Sequence, residues 1–233
     1  MFDSQRFVSD WQDALAKDSS HKTVKEVVER AISEPNSVIR DLGEPVLGGV
    51  KKIYHSPTLT IINVIWAPGM TVMPHNHRMW ALIGVYTGRE DNIFWRRVPG
   101  HKGGLVEAAG ARSLGTGEVA PLGKDIIHSV TNPLMRLTGA IHVYGGDFFA
   151  VERSEWDPES LIEGPYDVEK NMALFNKTNA HWLALVFHLK DRGQPNSFYI
   201  GNTYRSSFVA KCWVLAGAKR VFAGGTPDTI YGG

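Results

Sequence analysis

An all-β chain folded as a jelly-roll sandwich or small barrel, with helices ahead of it and one helix behind, is the architecture this sequence predicts. Three observations carry the expectation. Between Val46 and Phe149, short apolar runs of strand length are punctuated by Gly and Pro, the texture of an antiparallel sandwich. Ahead of them, from Ser4 to Ser33, apolar residues recur at helical spacing instead: Phe7, Trp11 and Leu15, then Val24, Val27, Val28 and Ala31. The length of 233 residues, with 43% hydrophobic and 21% charged, suits one medium domain with added elements and a substantial core.

Taken in order, the N-terminal spacing predicts two short amphipathic helices broken near residues 18–20. Thr23 and Glu26 read as the capping box of the second, and Pro35 as its close. This segment, residues 1–36, is expected to cover a sheet edge or one end of the barrel. The barrel itself is expected over 37–157, with strands near 51–55, 59–66, 69–77, 80–86, 93–97, 104–114, 117–122, 126–131 and 137–144. Asn132-Pro133 is the turn signal between the last two. A closing helix is expected over 158–182, capped by Asp167. Residues 183–233 show no usable period; the Gly-rich end favours disorder, while Tyr199 and Trp213 argue for some packing.

Composition excludes several classes of function. A formal net charge of +1 with no basic stripe gives no case for nucleic acid or an acidic membrane surface. The single cysteine, Cys212, forbids an internal disulfide and fits a reducing compartment. The first residues are mixed and charged rather than signal-like, and no apolar run approaches eighteen residues, so a cytoplasmic location is expected. Oligomeric state has no signature here.

Chemistry concentrates between Gly69 and Gly88. His75 and His77 stand two apart, so on a strand both imidazoles face one side and can converge on one ion. An isolated His-x-His is more often a solvent-facing or hydrogen-bonded pair. A second block changes the balance: Gly115, Gly117, Pro121, Gly123, His128 and Asn132. The two together resemble the paired signatures of the cupin superfamily, Gly-x5-His-x-His followed by Gly-x5-Pro-x-Gly and then His-x3-Asn. Two departures matter. Four residues lie between Gly123 and His128 where the usual pattern has two, and Ala81 and Leu82 stand where a carboxylate is usual. The ligand set implied is therefore three neutral imidazoles, His75, His77 and His128. Such a site leaves a divalent metal its full charge and open positions for anionic ligands.

His142 and Tyr144 share one face of a strand that the Asn132-Pro133 turn should bring beside His128. With the three histidines they resemble the Ser-x-His-x-Tyr of the cysteine dioxygenase family of thiol dioxygenases, although Ala140 replaces the serine and no cysteine is near for a Cys–Tyr crosslink. The resemblance implies a mononuclear Fe(II) cupin that oxidises a small thiol, cysteine or 3-mercaptopropionate in type, with O2. Its metal ligands would be His75, His77 and His128, and its candidate catalytic pair Tyr144 and His142, the phenol donating to an oxygen atom at the site. The alternatives are a metal-binding cupin without turnover, for sensing or storage, or a cupin isomerase using another divalent metal. A substrate carboxylate would call for an arginine, with Arg78, Arg40, Arg96 and Arg97 as candidates. His55, His101, His181 and His188 read as structural or solvated, and Trp66, Trp80 and Trp95 as core or pocket walls.

Overall fold

Alternation with period two, interrupted by Gly and Pro turns, folds the middle of the chain into eleven antiparallel strands. They are β1 Gly49–His55, β2 Thr60–Trp66, β3 Thr71–Asn76, β4 Ala81–Thr87, β5 Arg89–Arg97, β6 Val106–Gly115, β7 Val119–Leu122, β8 Ile127–Thr131, β9 Thr138–Tyr144, β10 Ser154–Trp156 and β11 Glu163–Pro165. Among the described residues four helices flank them: α1 Ser4–Lys17, α2 His21–Ile32, α3 Pro35–Leu42 and α4 Val168–Asp191. The computed structural model describes residues 2–17 and 21–191. The chain divides into two compact units, 1–182 and 183–233. Only the last turns of α4 belong to the second unit among the described residues, and the rest of the expected tail lies outside them.

The strands form two sheets, ordered β1-β2-β9-β4-β7 and β11-β10-β3-β8-β5-β6. Sequential strands are mostly not neighbours in these orders, which is the jelly-roll arrangement expected. The five-stranded sheet is buried on both faces at its middle, so β2 and β9 are buried along their whole length, while the edge strand β1 is largely exposed. Ile61, Ile65, Leu82, Tyr86, Ile141 and Val143 face one core, shared with Phe7, Trp11, Val24, Val28 and Ile32 of the helices. Their alternates Ile62, Val64, Trp66, Ile83, Val85, Ala140 and Tyr144 face a second core between the sheets. Each large side chain so buried stabilises the fold by about 1.5–3 kcal/mol before entropy is counted.

Gly88 makes the β4–β5 turn at φ +84°, where a Cβ would also meet Thr138. That close approach starts β5 at Arg89 rather than at the expected residue 93. Three further expectations are corrected. Pro35 does not close a helix but opens a third one, α3, at a position where its missing N–H costs nothing. Thr23 lies in the first turn of α2 rather than ahead of it, so Thr23 and Glu26 are not its capping box. The closing helix begins at Val168, not 158, because the Asp157 carboxylate accepts from the backbone N–H groups of Glu159 and Ser160 and holds a turn, after which β11 pairs with β10. Asp167 does cap it, accepting from Lys170 N at 2.9 Å. Among the described residues no helix is long and apolar enough to cross a membrane.

Candidate metal centre

β3 and β8 are antiparallel neighbours, and their register sets His75 directly opposite His128. β3 ends at Asn76, so His77 lies just beyond it rather than within the strand. Arg78 follows at φ +55°, a left-handed residue that turns the chain. The three rings nonetheless converge: one ligand nitrogen from each lies within 4.8 Å of the others. His77 Nε2 is 3.3 Å from His75 Nε2 and 3.3 Å from His128 Nε2. Two imidazole nitrogens about 2.1 Å from one ion at a tetrahedral angle stand about 3.4 Å apart, so the spacing suits a shared metal.

The far sides of two rings are already committed. His75 Nδ1 donates to the Met73 carbonyl at 2.9 Å, and His128 Nδ1 to Asn92 Oδ1 at 2.8 Å, which leaves both Nε2 lone pairs free for the centre. The rings are 7%, 4% and 1% exposed. Burial pushes His75 down to about 4, and burial with mutual repulsion holds His77 and His128 well below the ordinary histidine range. Three neutral, inward-facing imidazoles are what a divalent cation requires. No carboxylate joins them within the described residues. Glu155 pairs opposite His75 on β10, but its oxygens accept from Lys170 Nζ, Asn171 Nδ2 and Asp167 N at the start of α4.

His142 and Tyr144 come together on the inner face of β9, with His142 Nδ1 3.0 Å from Tyr144 Oη. The tyrosine ring meets His77 edge-on at 5.0 Å and stacks on Phe148 at 4.1 Å, and burial raises its pKa. Ala140 occupies the same face two residues earlier. Two residues of this layer escaped the sequence reading, Glu90 and Asn92. Glu90 is fully buried, accepts from Trp66 Nε1, and stands 3.1 Å from His142 Nε2. Both belong to Arg89-Glu90-Asp91-Asn92, a polar run that resembles a solvated turn. The alternation of exposed Arg89 and half-buried Asp91 with buried Glu90 and Asn92 was the available signal, once the strand is started at Gly88.

None of the expected arginines reaches the centre. Arg78 and Arg40 are exposed, Arg96 pairs with Glu107, and Arg97 pairs with Glu163. Arg153, ahead of β10, does. Its guanidinium lies 3.8 Å over the Phe148 ring and 4.1 Å over the Tyr166 ring, and those rings flank His77 and His75. Its Nη1 is buried without a partner, and among the described residues it makes no ion pair. Its charge helps to depress both His75 and His77.

The remaining candidates are structural or exposed. His55 pairs with Asp147, His101 Nδ1 accepts from Gly103 N, His181 is exposed, and the His188 side chain lies outside the described residues. Trp66 stacks on Phe175, Trp80 on Trp11, and Trp95 donates to Ser129.

No protein-family model matches the chain. Among solved structures it is similar to an RmlC-like cupin family protein with a double-stranded β-helix fold from Methanocaldococcus jannaschii, at 8% identity, covering 46% of this chain and 86% of that one, TM-score 0.36. It is similar to a Cupin 2 conserved barrel domain protein from Salinispora arenicola at 19% identity, covering 41% and 72%, TM-score 0.32. It is also similar to the DMSP lyase DddQ from Ruegeria pomeroyi at 18% identity, covering 48% of this chain and 53% of the lyase, TM-score 0.37.

Proposed function

We propose that this chain is a mononuclear non-haem iron(II) dioxygenase that oxidises a small carboxylate-bearing thiol, of the cysteine or 3-mercaptopropionate type, to its sulfinate. One observation carries the reading: among the described residues, a half-buried guanidinium without an ion-pair partner stands beside three neutral imidazoles with no protein carboxylate among them. The centre is therefore positive once a divalent cation is held, and it favours a ligand that brings its own negative charge.

His75, His77 and His128 would hold the ion, and iron(II) would supply the redox chemistry that joins O2 to sulfur. Arg153 receives the substrate carboxylate in a bidentate fork, its plane held between Phe148 and Tyr166. Asn92 fixes the His128 ring, and Phe148 and Tyr144 exclude water beside His77. The reaction balances without a reductant: both atoms of O2 bond to sulfur, the O–O bond breaks, and O2 takes up the electrons that sulfur loses.

The test is anaerobic loading of the full chain with iron(II), followed by O2 uptake with cysteine, 3-mercaptopropionate and cysteamine. Uptake matched one to one by sulfinate carrying both atoms of labelled O2 is expected. No uptake with any of these thiols overturns the assignment, and a zinc or nickel protein without uptake would be a metal-binding barrel instead. Arg153→Ala should raise KM for the carboxylate-bearing thiols about 10–100-fold while leaving cysteamine, which has no carboxylate, nearly unaffected.

A further inference from the structure

Glu90 is 0% exposed, and among the described residues no lysine or arginine pairs with it. Its Oε1 accepts from Trp66 Nε1, a group that can only donate, and stands 3.1 Å from His142 Nε2; its Oε2 has no partner. With the carboxyl ionised, Oε1 is the acceptor for both neighbours. His142 Nε2 must then carry the N–H. A neutral imidazole has one N–H, which leaves Nδ1 as an acceptor, and the group 3.0 Å from Nδ1 is Tyr144 Oη. The phenol therefore donates its only proton to His142.

We propose that Glu90 is a positioning residue of this site. Through His142 it commits the Tyr144 hydroxyl proton, so that the phenol oxygen meets an incoming ligand with lone pairs only and favours a group that still carries a proton. The polarity is the reverse of the donor role that the sequence led us to expect. Ala140, where the resembling family has serine, has no hydroxyl that could compete for His142. The anchor comes instead from β5, on the opposite sheet. The consequence for substrate rests on the thiol dioxygenase reading, in which an entering S–H is such a group; the hydrogen-bond assignment does not.

Histidine 15N NMR of the labelled full chain loaded with zinc(II), which is diamagnetic, tests the assignment directly. His142 is expected with a protonated Nε2 and a bare Nδ1. Glu90→Gln keeps an acceptor oxygen and should retain that form, whereas in Glu90→Ala an Nδ1-protonated form should emerge. A wild-type His142 protonated at Nδ1, alone or together with Nε2, overturns the proposal, as does an unchanged tautomer in a folded Glu90→Ala. Should that variant not fold, the wild-type and Glu90→Gln spectra still decide. In the iron protein, Glu90→Ala should lower kcat with little change in thiol KM, and add no further loss in a Tyr144→Phe background. An equal loss there would overturn the route through Tyr144. An iron protein that leaves thiols untouched would sink the dioxygenase reading and leave the NMR result standing.

Discussion

His75, His77 and His128 are ready for a cation because burial keeps them neutral, and the same burial makes the metal-free protein sensitive to acid. Their folded pKa values lie below the ordinary value of about 6.5, so between that value and the folded one the unfolded chain binds more protons than the native state. Stability therefore falls as pH drops through this window. For His75, lowered to about 4, the loss from pH 7 to below 4 is about 3 kcal/mol. Thermal melts of the metal-free protein should show Tm falling steadily below pH 6.5, with saturating zinc shifting the onset to lower pH. Asn92→Ala frees the His128 ring to rotate and should weaken metal binding about 10–100-fold, read by competition with a chelator. The grouping of His75, His77 and His128 was legible because their spacing is a sequence property. Glu90, Asn92 and Arg153 were not, since a buried carboxylate, amide and guanidinium look like surface residues until the strand or the two flanking rings that enclose them are known.

At the level of elements, nine of the strands were legible as short apolar runs between turn residues, to within a few positions. β10 and β11 were not. Three residues are too few to show a period, and their pairing is decided by the Asp157 turn and by β3 alongside. The start of α4 depended on one competition, which Asp157 won locally and Asp167 ended. Asp167→Ala removes the acceptor for Lys170 N and should cost about 1 kcal/mol, lowering Tm by about 2–4 °C. Lys170 and Asn171 also reach Glu155 opposite His75, so the start of α4 holds a carboxylate away from the three histidines. Loss of the cap should leave metal content unchanged, because Glu155 keeps all three partners, the backbone N–H at position 167 among them.

At the scale of the barrel, α1 and α2 pack on one face of the five-stranded sheet and the three histidines lie beyond its other face, and this separates much of the energetics of folding from those of the site. Trp11, wholly buried against the helix-side face, stacks on Trp80 but contacts none of the three histidines. Trp11→Ala should destabilise the fold by about 3–5 kcal/mol in denaturant melts while the folded fraction keeps its full metal stoichiometry. β5 behaves in the opposite way. Glu90 and Asn92 leave it on the same side and reach His142 in one sheet and His128 in the other. Inserting one amino acid directly after Gly88 would rotate both out to solvent and put Arg89 and Asp91 in their place. Such a frame change would disable the ion's support and the tyrosine's support in a single event, so natural length variation should be tolerated in the loop after Arg97 and absent from this four-residue stretch.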